Sequence, residues 1–197
     1  MSKQPEQPDH EQVIHLPAFL DGHPEIKNKL VEYLKTVPLE EKQKNVEEYK
    51  KFISGELTWG EIRKITKRMQ RELARVAYLK FKLKDYAKAE LLFKGLAIVD
   101  HTNWYYRAAL GAVYQKQKKY EEAVEEYDIA VELKEDEISC VVNRGECLMM
   151  LKDFEAARED LKKIMTLKLP PNNPWLIRAR ALNQRLAILQ RKDNDDK

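Results

Sequence analysis

Small, aromatic and polar positions recur along this chain at one fixed interval. Gly111 is followed 34 residues later by Gly145, and Ala77 stands 34 residues before it. Three further positions keep their size class across the same copies: Ala89, Ala123 and Ala157; Tyr86, Tyr120 and Phe154; Phe93, Tyr127 and Leu161. An antiparallel helical bundle is the alternative, but a bundle has no reason to keep one long period. The interval therefore favours repeated helix pairs.

The residue types at these positions give the repeat a physical cause. Gly111 and Ala123 are small where the first helix (helix A) and the second helix (helix B) of one repeat cross, and Ala130 lets helix B approach the next repeat. The remaining space is filled at helical spacings by Leu110, Tyr114 and Tyr127. A helix–turn–helix unit of about 34 residues is typical of the tetratricopeptide repeat. We expect an all-α fold of three tetratricopeptide repeats forming a right-handed solenoid, with extra N-terminal helices and a C-terminal capping helix.

Periodicity and capping signals predict the individual helices. Two helices are expected over residues 24–36 and 38–54, and the capping box Thr58–Glu61 opens a long helix over 59–83. The later helices are predicted over 86–99, 104–118, 120–133, 137–151 and 154–167, with a last one that Asn173 caps and Pro174 begins.

The same signals divide the chain into four parts. Residues 1–23 are expected to form a mobile N-terminal tail, because prolines break any helix there, and residues 24–57 an N-terminal helical extension. Residues 58–191 hold the tetratricopeptide-repeat domain with its capping helix, and 192–197 form a polar tail.

Composition narrows the class of protein. No apolar run approaches ~18 residues, so we expect no membrane span, and the polar start of the chain lacks the apolar region of a signal peptide, which favours a cytoplasmic location. The basic stretch Arg63–Lys82 is the one candidate for nucleic-acid binding. A net charge of +3 is too small to argue for a polyanionic partner, so a solvated helix face is the favoured interpretation.

The sequence holds few residues in patterns typical of disulfides, metal sites or catalytic sites. Cys140 and Cys147 lie seven residues apart on one predicted helix, about 10 Å of rise, which exceeds disulfide reach. They are expected to be reduced thiols of the core or of the groove. The four histidines form no metal-binding spacing, and no acid pair, nucleophile set or phosphate loop appears, so neither a metal, a cofactor nor an enzyme is expected.

Helix A of each repeat lines the concave face of such a solenoid, and the phase set by Gly111 assigns the residues that face it. Each set follows the spacing of one helical face. They are Arg71, Ala74, Tyr78 and Phe81 in the first repeat, Tyr105, Ala108, Ala112 and Gln115 in the second, and Ser139, Val142, Glu146 and Met149 in the third.

This groove is predicted to bind an extended apolar peptide of a partner protein. Tyr78 and Phe81 would form pockets, unless they pack against the N-terminal helices instead. Repeats that grip the C-terminal carboxylate of large heat-shock chaperones use basic and amide side chains on helix A. The corresponding places here hold Ala74, Ala108, Ala109, Ala112 and Glu146, so a carboxylate clamp is not expected.

The stretch from Tyr86 to about Leu161 resembles the class II chaperones of bacterial type III secretion systems, which guard the hydrophobic translocator subunits. The resembling residues are Ala89, Phe93, Leu96-x-Ile98-Val99-Asp100-His101, Leu110-Gly111-Ala112, Tyr120-x2-Ala123 and Gly145-Glu146-Cys147-Leu148. The resemblance implies that an extended segment of a translocator lies on the concave face. Tyr78 and Phe81 match the family's pocket aromatics, whereas Ala74 stands where the family often has another.

The resemblance also implies a homodimer formed through the N-terminal helices. The N-terminal region to Leu57 is longer than is usual in that family, and the basic helix near Arg63 is unusual too. The leading hypothesis is a non-enzymatic chaperone or adaptor for a secreted, translocator-like partner. A structural scaffold that docks folded proteins of a bacterial assembly through its charged convex surface is the alternative.

Overall fold

The computed structural model describes residues 24–36, 38 and 46–195. Regular structure in those residues is entirely α-helical. In chain order the helices are α1 (Pro24–Thr36), α2 (Val46–Ile53), α3 (Trp59–Ile62), α4 (Lys67–Lys82), α5 (Tyr86–Val99), α6 (Trp104–Gln117), α7 (Tyr120–Leu133), α8 (Ile138–Met150), α9 (Phe154–Thr166) and α10 (Pro174–Asp195). The predicted tail 1–23 and the start of the predicted second helix, 39–45, lie outside the described residues. The chain divides into two compact units, 1–62 and 63–197.

The first unit contains α1, α2 and α3. Gly55 ends α2 with a left-handed φ of 81°, as the sequence predicts. The predicted capping box is confirmed, because the Thr58 N–H donates to Glu61 Oε2 at 2.7 Å and the Glu61 N–H donates to Thr58 Oγ1 at 3.2 Å. The buried ring of Phe52 packs against Trp59, with 5.4 Å between the ring centroids. This aromatic contact fixes the turn between α2 and α3.

The single long helix predicted over 59–83 is wrong, because the chain leaves the helix between Ile62 and Lys67. Lys64 has a φ of 55°, and a residue in that conformation cannot continue a right-handed helix. Thr66 is extended, and its Oγ1 accepts a hydrogen bond from the Met69 N–H at 3.2 Å. A new helix therefore begins with its own N-cap.

The second unit consists of three helix pairs and a final helix. Helices α4 and α5, α6 and α7, and α8 and α9 pair within repeats, and each pair packs on the next. The predicted bounds from residue 86 to 167 are correct to within one residue at each end. One buried cluster runs from Ala74 to Cys147 and a second from Val141 to Leu186. The result is the expected solenoid of three tetratricopeptide repeats.

Close helix crossings explain the small residues of the repeat. A Cβ atom on Gly111 would lie 3.1 Å from two ring carbons of Tyr127 and 3.2 Å from the carbonyl oxygen of Ala123. A Cβ atom on Gly145 would lie 3.3 Å from Asp160 Cβ. All of these distances are tighter than ordinary van der Waals contact, so the backbone of helix A lies directly against helix B of the same repeat at this position. The predicted phase of the repeat is therefore confirmed.

The turns between helix A and helix B share one backbone conformation, which recurs every 34 residues. Lys84, Lys118 and Lys152 have φ values of 61°, 63° and 63°, and each follows helix A of its repeat. The N–H of the next residue reaches back in each turn to the carbonyl oxygen five residues earlier, for example Lys119 to Tyr114 at 3.0 Å. This closure is a Schellman-type helix end, which usually has Gly or Asn at the left-handed position.

Charged side chains link helix pairs inside the solenoid. Arg107 on α6 donates to Glu126 on α7 at 3.1 Å, and both side chains are buried. Arg144 on α8 binds both oxygens of Asp160 on α9, at 2.8 and 2.6 Å, and also Asp128 on α7 at 2.6 Å. We expect the Arg107–Glu126 and Arg144–Asp160 pairs, which are largely buried, to specify one helix register more than they add stability, since each charge loses its hydration.

Helix α10 covers the end of the last repeat. Asn173 Oδ1 accepts hydrogen bonds from the backbone N–H groups of Trp175 at 2.9 Å and Leu176 at 3.2 Å, which confirms the predicted cap. One face of α10 is buried against α8 and α9 through Leu176, Ala179, Leu182 and Leu186. The helix continues to Asp195, into the predicted polar tail. Across the described residues, no helix combines the length and the apolarity that crossing a bilayer requires.

The close crossing at Gly111 predicts the effect of larger side chains. Gly111→Leu should lower the free energy of unfolding by about 1–3 kcal/mol or more, because the Tyr127 ring and the Ala123 backbone must both move. Gly95 on α5 is the matched control, since no atom lies within 4 Å of its added Cβ. Gly95→Ala should raise stability by about 0.5–1 kcal/mol. Urea denaturation followed by circular dichroism measures both, and an unchanged midpoint for Gly111→Leu contradicts the assigned crossing.

Candidate functional site

The predicted groove residues of the first repeat lie on one side of α4. Ala74 is buried, whereas Tyr78 keeps 48% of its surface exposed. The rings of Tyr78 and Phe81 stack with 6.5 Å between centroids, and Phe81 in turn contacts Tyr86 at 5.8 Å. Phe81 packs against the first core cluster, so Tyr78 is the more accessible of the two predicted anchors.

A pocket of about 320 Å³ lies between α4 and the start of α6. Four of the predicted residues meet there: Arg71, Ala74, Tyr78 and Tyr105. Three residues that the sequence reasoning missed complete its lining: Arg75, Asn103 and Tyr106. Two features of the sequence could have indicated these residues. Arg75 lies one helical turn beyond Arg71, and Asn103 stands at the N-cap position of α6. The pocket therefore lies where the first two repeats meet, and tyrosines of both repeats line it.

Two tyrosines of this pocket, Tyr105 and Tyr106, keep their protons. Burial, followed by the nearby Tyr78 hydroxyl, raises the pKa of Tyr105 above its ordinary value of 10.0. Burial and the charge of Asp100 raise the pKa of Tyr106, although the positive charge of Arg71 acts in the opposite direction. Both hydroxyls are therefore neutral at physiological pH, and each can donate or accept a hydrogen bond.

A buried carboxylate holds the pocket wall in place. Asp100, between α5 and α6, accepts hydrogen bonds from Lys67 Nζ at 2.7 Å, Thr102 Oγ1 at 2.9 Å and Asn103 Nδ2 at 3.5 Å. Asn103 Oδ1 in turn accepts from the Tyr105 N–H at 3.1 Å. Burial alone would raise the pKa of Asp100, but the hydrogen bonds from Lys67 and Thr102 and the charge of Lys67 outweigh it, so the pKa is lowered. Asp100 thus connects the start of α4 to the residues that open α6.

The middle of the groove is shallow, and a polar network closes it. The small side chains of Ala108 and Ala112 are half-buried there. Gln115 Nε2 donates to Glu146 Oε2 at 2.8 Å, and the Tyr127 hydroxyl donates to Gln115 Oε1 at 3.1 Å. Arg178 of α10 binds the same oxygen of Glu146. The predicted groove residues Gln115 and Glu146 are thus connected to each other and to the last helix.

The third repeat departs from the expected groove. Val142 and Met149 are buried in the cluster that includes Ala179, Leu182 and Leu186 of α10. The physical reason is that α10 packs against α8 as well as α9, and so buries side chains that the repeat phase assigns to the groove. Ser139 stays half-buried and donates to Glu137 at 2.7 Å. The accessible part of the groove is therefore formed by the first two repeats.

The two cysteines lie in the core. Both are free and buried, as predicted for reduced thiols. Burial, followed by neighbouring negative charge, raises the pKa of Cys140 to about 11 and that of Cys147 to about 12. Both thiols are therefore protonated at neutral pH and poorly nucleophilic. Within 24–36 and 46–195 no group of three His, Cys, Asp or Glu side chains is placed to hold a metal ion.

Comparison with known proteins gives the class of protein. Residues 105–137 match the family model for the tetratricopeptide repeat. A type III secretion complex from Aeromonas hydrophila is similar to this chain at 17% identity, with 74% of this chain and 96% of that one covered and a TM-score of 0.65. The Yersinia enterocolitica type III secretion chaperone SycD, in complex with a peptide of the translocator YopD, is similar at 20% identity, with 64% and 98% covered and a TM-score of 0.58.

A third similar structure comes from a different setting. The first tetratricopeptide-repeat domain of RPAP3 (Spaghetti), bound to an HSP90 peptide, is similar at 20% identity, with 62% and 93% covered and a TM-score of 0.56. At these identities the similarity shows a shared fold. This chain has a tetratricopeptide-repeat fold, which resembles that of the type III secretion translocator chaperones.

The role of Asp100 predicts a pH-dependent loss of stability. Asp100→Asn should lower the free energy of unfolding by about 1–3 kcal/mol at pH 7, because a charge-assisted hydrogen bond is lost in a buried site. The folded-state pKa lies below the ordinary value of 3.8. The carboxylate therefore contributes fully above pH 3.8, and its contribution disappears as the pH falls through the folded-state pKa.

The measurement is urea denaturation of both proteins at pH 7 and at several points below pH 4. The exposed acid Glu72, paired with Arg75 on the surface of α4, gives the control Glu72→Gln. This control should change stability by less than about 1 kcal/mol at neutral pH. A constant difference between wild type and Asp100→Asn at every pH would contradict the assigned role.

Proposed function

We propose that this protein is a non-enzymatic cytoplasmic chaperone or adaptor that holds an extended apolar segment of a secreted, translocator-like partner on its concave face. The observation that carries this proposal is the open aromatic pocket between the first two repeats, where Tyr78 and Tyr105 remain 48% and 41% exposed. Half-exposed aromatic rings around a cavity suit the recognition of a ligand, because they bury large apolar areas with little loss of conformational freedom.

The rest of the groove suits the backbone of such a segment. Ala108 and Ala112 leave room for a main chain to approach α6, as far as the polar network of Gln115 and Glu146 that closes the groove. A partner whose bulky side chain enters the pocket would run from there across the shallow alanine surface. Alternate side chains of an extended chain point to opposite faces, so every second residue of the bound segment would face the groove.

The similar structures support peptide binding as the general mode of action. The Yersinia chaperone is in complex with a translocator peptide, and the RPAP3 domain with an HSP90 peptide. A carboxylate clamp for the second kind of ligand needs basic and amide side chains, whereas Ala74, Ala108 and Ala112 hold the corresponding places here. We therefore favour an internal apolar segment as the ligand.

We also propose a homodimer in which α4, the first helix of the repeats, takes part. The supporting observation is an apolar face on α4 whose counterparts are buried in the next repeat. Leu73 and Val76 are 39% and 44% exposed, whereas Arg107 and Leu110, one interval later, are 1% and 0% exposed. The face that the second repeat buries against its predecessor is thus open in the first repeat, and a second copy of the chain would cover it.

Peptide selection tests the groove. A random peptide display library panned on the wild-type protein should enrich peptides with bulky apolar residues. Tyr78→Ala combined with Tyr105→Ala should abolish the enrichment, because the pocket loses two of its walls. Circular dichroism checks that helicity is unchanged. Leu91→Ala removes an exposed apolar side chain of α5 outside the pocket and should bind like wild type. Equal enrichment by the pocket variant and the wild type would reject the groove.

Sedimentation velocity tests the dimer. Leu73→Glu combined with Val76→Glu should convert a dimer into a monomer, since two carboxylates would enter an apolar contact. Both side chains are exposed in the single chain, so folding should be retained. Leu91→Glu adds a charge at an exposed position on α5 and should leave the subunit count unchanged. A wild-type protein that sediments as a monomer, or a double variant that stays dimeric, would argue against this interface.

A further inference from the structure

The pocket has a cationic rim that an apolar ligand alone does not explain. Arg71 and Arg75 lie one helical turn apart on α4, and both line the pocket beside Tyr78. No residue that lines it is acidic. The charge of Arg71 reaches the pocket, because it acts on the pKa of Tyr106. The charge of Asp100 acts on the same pKa in the opposite direction, but Asp100 is buried and paired with Lys67, so the exposed charges that face the place of the aromatic anchor are the two arginines.

The rim arginines are available to a ligand. Arg75 contacts Glu72 at 3.2 Å, but both side chains are largely exposed, so this pair is weak and readily exchanged. The surrounding stretch of chain adds positive charge, since Arg63–Lys82 holds eight basic residues and one acidic residue, Glu72. A guanidinium binds a carboxylate through two parallel hydrogen bonds, which gives direction as well as energy.

We propose that the segment bound in this pocket is an acidic–apolar motif of a protein partner, with a bulky apolar or aromatic side chain in the pocket and an Asp or Glu close to it. The proposal rests on the peptide-binding function proposed above and specifies its ligand. In an extended chain the side chains two positions apart share a face and lie about 7 Å apart. The carboxylate is therefore expected two residues from the anchor, on the side of Arg71 and Arg75.

The apolar lining of the pocket indicates which kind of anionic ligand it would bind. Ala74 and three tyrosines provide a wall for an apolar side chain, which inorganic phosphate and polyphosphate lack. The small residues at the groove positions of α6 also leave a path for a continuing main chain. A side-chain carboxylate within a peptide therefore fits the observed combination of charge and apolar surface. The arginines would select among apolar segments and speed the encounter more than they would raise affinity.

The experiment begins from the peptides selected on the full-length wild-type protein. The expected result is an excess of Asp or Glu two positions from the bulky apolar residue. One such peptide is then synthesised with an amidated C-terminus, so that only side-chain carboxylates are present, together with its Glu→Gln or Asp→Asn analogue. Fluorescence anisotropy should show that the analogue binds roughly three- to tenfold more weakly to the wild type, the loss expected for one or two partly exposed charge pairs.

Variants of the protein test whether the two rim arginines cause this preference for the acidic peptide over its analogue. Arg71→Gln combined with Arg75→Gln should bind the acidic peptide and its analogue equally well. Arg68→Gln combined with Lys82→Gln removes the same charge from exposed positions of α4 outside the pocket and should preserve the preference. Loss of the preference in this control to the same degree would mean that the net charge of the helix, rather than the pocket rim, is responsible, and would overturn the proposal.

The selection also separates the two proposals. Peptides that are apolar but show no acidic excess, or an analogue that binds as tightly as its parent, would overturn the acidic–apolar motif while peptide binding stands. Enrichment of no peptide by the wild-type protein would overturn the peptide-binding function and the motif that rests on it.

Discussion

The close crossing of two helices within each repeat is the constraint on which this structure depends. At Gly111 the helix backbone lies against the Tyr127 ring and the Ala123 carbonyl, and at Gly145 the same approach recurs against Asp160 and Leu161. A larger side chain would separate the pair and change the angle at which the next pair stacks. The stacking of successive helix pairs, and with it the concave face, depends on this repeated contact.

Polar side chains fix the position of one helix against another, which apolar contacts alone do not specify. The buried Arg107–Glu126 pair fixes helix A of the second repeat against its helix B. Asp100 connects the beginning of α4 with the beginning of α6 through Lys67 and Asn103. Because Asn103 also lines the pocket, the same turn that joins two repeats positions part of the candidate binding site. Changes in stability and in binding are therefore expected to be coupled at this turn.

Much of the fold was predictable because its determinants are local. The spacing of small residues gave the repeat and its phase, and Thr58, Gly55 and Asn173 marked helix ends through hydrogen bonds within a few residues. The break at Lys64 was missed because Thr66 caps its helix without an acidic partner at Met69. The burial of Val142 and Met149 was missed because it depends on how α10 packs on α8, which no spacing within the repeat encodes. Arg75 and Tyr106 were missed for a similar reason, since they join the pocket only where two repeats meet.

The covering of the third repeat by α10 limits how much of a partner this surface can hold. Two neighbouring A helices, each about 10 Å across, offer a width of about 20 Å, which an extended chain crosses in about six residues. A contact of that length buries much less than the ~1,600 Å² of a standard stable interface. A segment held there would exchange quickly, so a competing receptor could take it over by mass action alone, without an energy-driven release step.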